Sequence, residues 1–157
     1  MADVKNMQKA QATFRALRQA LDAQNWRYNA DEEMLALETG AEGDGLPIQL
    51  VLRVDPDRML LMALGKIPFV VSEDKRIDMA LAICAVNDFM VNGSFDLDVA
   101  TGKLYFRLTN TLEGVQPSDE LFYYMLFCAC KTIDEYSNTF LMLDKGLLSL
   151  EQFLNSL

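Results

Sequence analysis

Apolar residues recur at helical spacing in four parts of the chain. An apolar stripe at intervals of three and four residues predicts an amphipathic helix over residues 2–24. That stripe consists of Met7, Ala10, Phe14, Leu17 and Leu21. Residues 77–90 are apolar nearly all round, which predicts a helix that is buried or lies in an interface, with Ser72 as its cap. A long helix is predicted from 119 to about 144, and Ser149 with Gln152 forms a capping box before a short last helix.

Alternating and apolar stretches between these helices predict about five strands. They cover residues 34–38, 48–54, 59–64, 95–99 and 104–110. The segment 55–58, with Pro56 at its second position, predicts a tight turn, and the glycine-rich segment 40–45 predicts a flexible loop. The element order α-βββ-α-ββ-α-α predicts a single α+β domain over residues 1–157, with an antiparallel sheet flanked by helices.

The strands are apolar on both faces, which is unusual for a sheet with one buried face. If the even-numbered residues of the three central strands face the core, the outward face carries Val51, Met59, Leu61 and Tyr105. That much apolar surface must be covered by the chain's own helices, by a second copy, or by a partner peptide. We expect these four residues to bind a partner, and Val51→Asp or Leu61→Asp to abolish association without unfolding the protein.

The first helix is a second candidate contact. Phe14 and Leu17 lie in the middle of its apolar stripe, and we include them in the predicted partner-binding set.

Composition narrows the classes of partner. The net charge is −9 and the sequence pI is about 4.4, which argues against nucleic acid and against docking on anionic lipid. The three cysteines all lie in apolar helical patterns, so we expect reduced, buried thiols in a cytoplasmic protein. No apolar run is long enough to predict a membrane span.

Catalytic and metal-binding patterns are absent from the sequence. The chain has no histidine, which excludes Ser-His-Asp and Cys-His catalysis and the usual zinc sites. Asp96 and Asp98 are expected on a solvated strand face, and Asn87 is expected to hydrogen-bond to neighbouring backbone. We therefore predict no enzyme activity and no cofactor.

The middle of the chain resembles the YbjN family, whose members are described as sensory transduction regulators. The resemblance spans about residues 10–145, and its most specific part runs from 67 to 104. It consists of Ile67-Pro68-Phe69, Ser72-Glu73-Asp74-Lys75-Arg76, Asn87, Gly93-Ser94-Phe95-Asp96-Leu97-Asp98 and Gly102-Lys103-Leu104. The resemblance implies a fold like that of type III secretion chaperones, which are small, acidic, cytosolic dimers that hold segments of other proteins.

Two functions follow as hypotheses. The first is a non-enzymatic, chaperone-like or regulatory module that is homodimeric and binds a segment of another protein, with no nucleic acid and no membrane. The alternative is a domain that binds a small molecule or lipid in a cavity between the sheet and the helices. An enzyme that uses only carboxylates ranks third.

Overall fold

Four helices and six strands form the structure, a computed structural model that describes residues 2–157. The helices are α1 (Val4–Ala23), α2 (Arg76–Phe89), α3 (Asp119–Asp144) and α4 (Leu150–Asn155). The strands are β1 (Asn29–Asp31), β2 (Ala36–Ala41), β3 (Ile48–Asp55), β4 (Leu60–Val70), β5 (Ser94–Leu97) and β6 (Lys103–Thr111). They make one antiparallel sheet in the order β1-β2-β3-β4-β6-β5. The predicted α+β class is confirmed.

The N-terminal half of the sheet differs from the prediction in three places. The sequence does not predict β1, because its three residues, Asn29–Asp31, include two poor strand formers and show no apolar alternation. Residues 32–35 form a turn instead of the start of a strand, and Asp31 Oδ1 accepts hydrogen bonds from the backbone of Glu33 and Met34 there. β2 then runs on through Gly40, which had been assigned to a loop.

The connection from β4 to α2 is also corrected. β4 continues through Pro68 to Val70, with an irregular register between Lys66 and Val70, as proline in a strand requires. Ser72 makes no side-chain cap for the turn and helix that follow. Its backbone N–H instead donates to Oδ1 of the buried Asp144 at 2.7 Å. The last residue of α3 therefore supplies the hydrogen-bond acceptor at the start of this segment.

Other local predictions are confirmed. Ser149 and Gln152 form the capping box of α4. The amide of Asn87 bonds both ways to the backbone of Phe95, at 3.0 Å as donor and 2.9 Å as acceptor. Asp55 Oδ1 accepts from two backbone N–H groups of the β3–β4 turn.

The helices cover one face of the sheet, which we call the closed face. α3 packs on β3, β4 and β6, and α1 packs on α3 and β3. Gly65 lets α3 approach closely, since a Cβ there would lie 2.2 Å from Ile133 Cδ1. A single cluster of buried side chains fills this interface. The alternative hypothesis places a ligand cavity between the sheet and the helices, where the structure has these packed side chains.

Candidate partner-binding surface

The opposite face of the sheet, which we call the open face, has apolar side chains at its centre. Strand register places Val51 of β3 opposite Leu64 of β4, and Leu64 opposite Arg107 of β6. Because residues paired across antiparallel strands share a face, Leu60 and Met62 belong to it as well. All four apolar side chains are half-buried by their neighbours in the sheet. They remain available to a further layer.

A groove of about 900 Å³ crosses this face. Residues of all six strands line it, together with Arg27 and Tyr28 from the segment before β1, and no residue of a helix does so. With neighbouring strands about 4.8 Å apart, six strands give the groove a length of about 24 Å. Its size and openness fit a length of peptide better than a small molecule, which normally needs enclosure.

Polar side chains surround the apolar centre. Tyr105 of β6 pairs across the strands with Lys66 of β4 on one side and with Asp96 of β5 on the other. Arg107 Nε donates to Asp96 Oδ2 at 2.7 Å, and this bond and the carboxylate charge raise the pKa of Arg107. Among residues 2–157, the side chain of Lys66 has no hydrogen-bond or ion-pair partner.

The rim of the groove beside β2 is held by a short chain of hydrogen bonds. Trp26 Nε1 donates to Thr39 Oγ1 at 2.6 Å, and that hydroxyl donates to the backbone oxygen of Arg27 at 2.8 Å. These bonds fix the backbone of Arg27 against β2 while its side chain stays exposed. The rim therefore presents a positioned but unpaired guanidinium.

The structure divides the predicted partner-binding set. Val51 and Tyr105 lie on the open face and line the groove. Phe14 and Leu17 are 1% exposed, Met59 is 2% exposed and Leu61 is 1% exposed. These four side chains belong to the core, and the expectation that Met59 and Leu61 point outward is wrong.

Leu60, Met62 and Leu64 lie on the open face in place of Met59 and Leu61. The sequence pattern predicts that these three leucine and methionine side chains face the core, so β4 faces the other way from the prediction. The register pairs Val54 with Leu61 and Leu52 with Ala63, so even positions of β3 share a face with odd positions of β4. A two- or four-residue hairpin loop always has this consequence, and the turn at 55–58 was sufficient to reveal it.

The cysteines also depart from expectation. Cys84 of α2 is exposed, whereas Cys128 and Cys130 of α3 are half-buried, and none is in a disulfide. Burial, with the nearby Asp134 carboxylate, raises the pKa of Cys130 to about 11. A thiol with that pKa is almost entirely protonated near neutral pH and reacts slowly.

We therefore expect iodoacetamide at pH 8 to alkylate Cys84 well before Cys130 in the folded protein. Peptide mass spectrometry after timed quenching measures the two rates. The same reaction in denaturant should remove the difference, because it abolishes burial. Equal rates in the folded protein would contradict the arrangement described for α3.

Residues 2–157 contain neither a metal-binding cluster nor a membrane-spanning helix. No group of three or more Cys, Asp or Glu side chains in this range is placed to hold a metal ion. No helix in the same range combines the length and apolar character of a membrane span.

Comparison with known proteins gives one family and one fold. Residues 13–142 match the YbjN family model, described as "Putative bacterial sensory transduction regulator". A search of curated protein sequences finds no match. Among solved structures, the chain is similar to one in the crystal structure of the ExsC–ExsE complex, with a TM-score of 0.56 and 16% identity. The similarity covers 80% of this chain and 91% of that chain, and it supports the type III secretion chaperone-like fold.

Proposed function

The chain belongs to the YbjN family, and on that premise we propose that it binds a segment of another protein on the open face of its sheet. Its role is regulatory or chaperone-like, without catalysis. The observation that carries the proposal is the groove: half-buried apolar side chains lie in register across the sheet, and no helix within residues 2–157 covers them. A partner that buried these uncovered apolar side chains would gain hydrophobic stabilisation.

The fold comparison supports the same proposal. The similar solved chain comes from a complex of two proteins. The absence of histidine removes the commonest general base. Three unpaired cysteines suit a reducing compartment, so the proposal places the protein in the cytoplasm.

A homodimer is part of the proposal. The outward side of α2 exposes Ile77 at 75% and Leu81 at 52% of their surface, with the exposed Cys84 one turn further on. A self-complementary contact between two copies of α2 would cover this stripe and leave the groove free. Light scattering of the purified protein measures the mass, and a monomer that persists at high concentration would remove this part of the proposal.

The test of the binding face is a capture experiment from cell lysate of the source organism. Wild-type bait is compared with Leu64→Asp and Val51→Asp, which place a charge in the groove. Val91→Asp is the matched control, since Val91 is fully exposed outside the groove. We expect a stoichiometric partner with wild type and the control, and at least about tenfold less with the groove variants.

Circular dichroism confirms that each bait is folded before capture. A partner retained equally by all four baits would show that the open face is not the binding surface. Loss of the partner from the Val91 control alone would move the site to the end of α2.

A further inference from the structure

The charge of the groove is opposite to that of the molecule. The chain carries −9 overall. The ionisable side chains lining the groove are three basic and two acidic, apart from the tyrosines, which are neutral near pH 7. Asp96 and Arg107 neutralise one another, so the remaining charges are Arg27, Lys66 and Glu38. The groove is a locally positive site on an acidic protein.

The positive groups are not paired with other groups of the protein. Among residues 2–157, neither Arg27 nor Lys66 has an ion-pair or side-chain hydrogen-bond partner. Arg53 lies on the same face, opposite Met62, and its Nε is buried without a hydrogen-bond acceptor. A buried N–H of a guanidinium without an acceptor is costly.

The apolar and positive groups alternate over short distances. Lys66 lies two residues along β4 from Leu64, which is about 7 Å in a strand. Arg53 lies two residues along β3 from Val51. An occupant that buries its apolar side chains on Val51 and Leu64 therefore brings its neighbouring side chains to these cations.

We infer that the partner segment taken by the groove is acidic as well as apolar, with carboxylates that pair with Lys66, Arg27 and Arg53. This inference rests on the proposed function. The groove's length of about 24 Å corresponds to about 16 residues of helix, at 1.5 Å per residue. A segment of α1 from a second copy would be repelled by the same cations, because α1 carries four basic side chains and one acidic one.

The test uses peptides as probes. Random 16-residue peptides displayed on phage are selected against the wild-type protein, and the best sequence is synthesised with a counterpart in which every Asp and Glu is replaced by Gln or Asn. Fluorescence anisotropy gives the Kd of both. We expect the amide counterpart to bind about tenfold more weakly, with the acidic peptide losing affinity as salt rises.

Charge reversal locates the contact. Lys66→Glu and Arg27→Glu should each weaken the acidic peptide about tenfold, whereas Lys131→Glu, at an exposed site on α3, should not. A peptide with Lys in place of its critical acid should recover affinity for Lys66→Glu. Since all three positions are exposed, the variants are expected to fold, and circular dichroism checks this.

The outcomes separate the two proposals. Peptide binding that is lost in Leu64→Asp but unchanged by Lys66→Glu and by amide replacement would overturn the proposal of an acidic partner. The proposal that the open face binds a protein segment would still hold. If no peptide binding depends on Leu64, the proposed function itself fails. Dodecanoate, titrated in parallel, tests for a fatty anion: binding of dodecanoate alone, lost in Leu64→Asp, would overturn both proposals.

Discussion

Leu61→Asp is expected to unfold the protein, whereas Leu64→Asp, three residues along the same strand, is expected to leave it folded. Leu61 is 1% exposed on the closed face, and Leu64 is half-buried on the open face. Removing a buried leucine costs about 2–5 kcal/mol, and burying a carboxylate in its place adds several kcal/mol more. The sum approaches the whole stability of a typical domain, about 5–15 kcal/mol.

Urea unfolding followed by circular dichroism measures the difference. Leu64→Asp should lose about 1–2 kcal/mol, because it removes a half-buried leucine and places an acid in a strand. Leu61→Met is the matched control, because a swap that keeps the volume costs under about 1.5 kcal/mol. Equal destabilisation by the two aspartate variants would mean that both faces of β4 are core, and the open face would not be a binding surface.

The result also decides between two orientations of β4. The sequence pattern alone predicts that Leu61→Asp disrupts association without unfolding. The structure predicts that Leu61→Asp unfolds the protein. It predicts that Leu64→Asp is the variant that disrupts association without unfolding. When the facing of a strand shifts by one residue, every side chain that pointed to the core points to the surface, and the reverse.

Gly102→Ala is expected to destabilise the protein by about 3 kcal/mol, since two costs combine. Gly102 has φ +77°, a conformation that costs an L-residue about 1–2 kcal/mol. A Cβ there would also lie 2.4 Å from the backbone oxygen of Val71. That oxygen cannot move freely, because the N–H of Val71 donates to Gly102 O at 2.8 Å.

Gly114→Ala separates the two costs. Gly114 also has a positive φ, of +65°, but a Cβ there meets nothing within 4 Å. The Gly114→Ala variant should therefore lose only the part of the stability that comes from the positive φ, about 1–2 kcal/mol. Thermal unfolding of both variants beside wild type measures the difference. A Gly102 variant no less stable than the Gly114 variant would show that the contact with Val71 relaxes at little cost.

Arg76 explains why this turn matters beyond its own stability. Its guanidinium donates to the backbone oxygens of Val99 at 3.1 Å and Ala100 at 2.8 Å. The start of α2 is thereby tied to the β5–β6 turn. The tie holds β5 at the sheet edge, where Asp96 pairs with Arg107 at one end of the groove.

The sequence by itself determined the helices and much of the sheet. The apolar stripe of α1, the acids that open α3 and the capping box of α4 are local patterns, and each gave an element close to its final bounds. Val51 and Tyr105 were placed correctly because their strands alternate in the expected phase. The family resemblance added the order of elements and the fold class.

The tertiary structure decided which side of the sheet is open. Leu60–Leu64 is apolar at every position, so its own sequence gives no preference between its two faces. The four-residue loop links the facing of β4 to that of β3, and the structure shows which side is covered, since Gly65 admits Ile133 of α3 there. The positive groove is likewise invisible in the sequence. Arg27, Arg53 and Lys66 come from separate parts of the chain, and only the sheet brings their charges to one face.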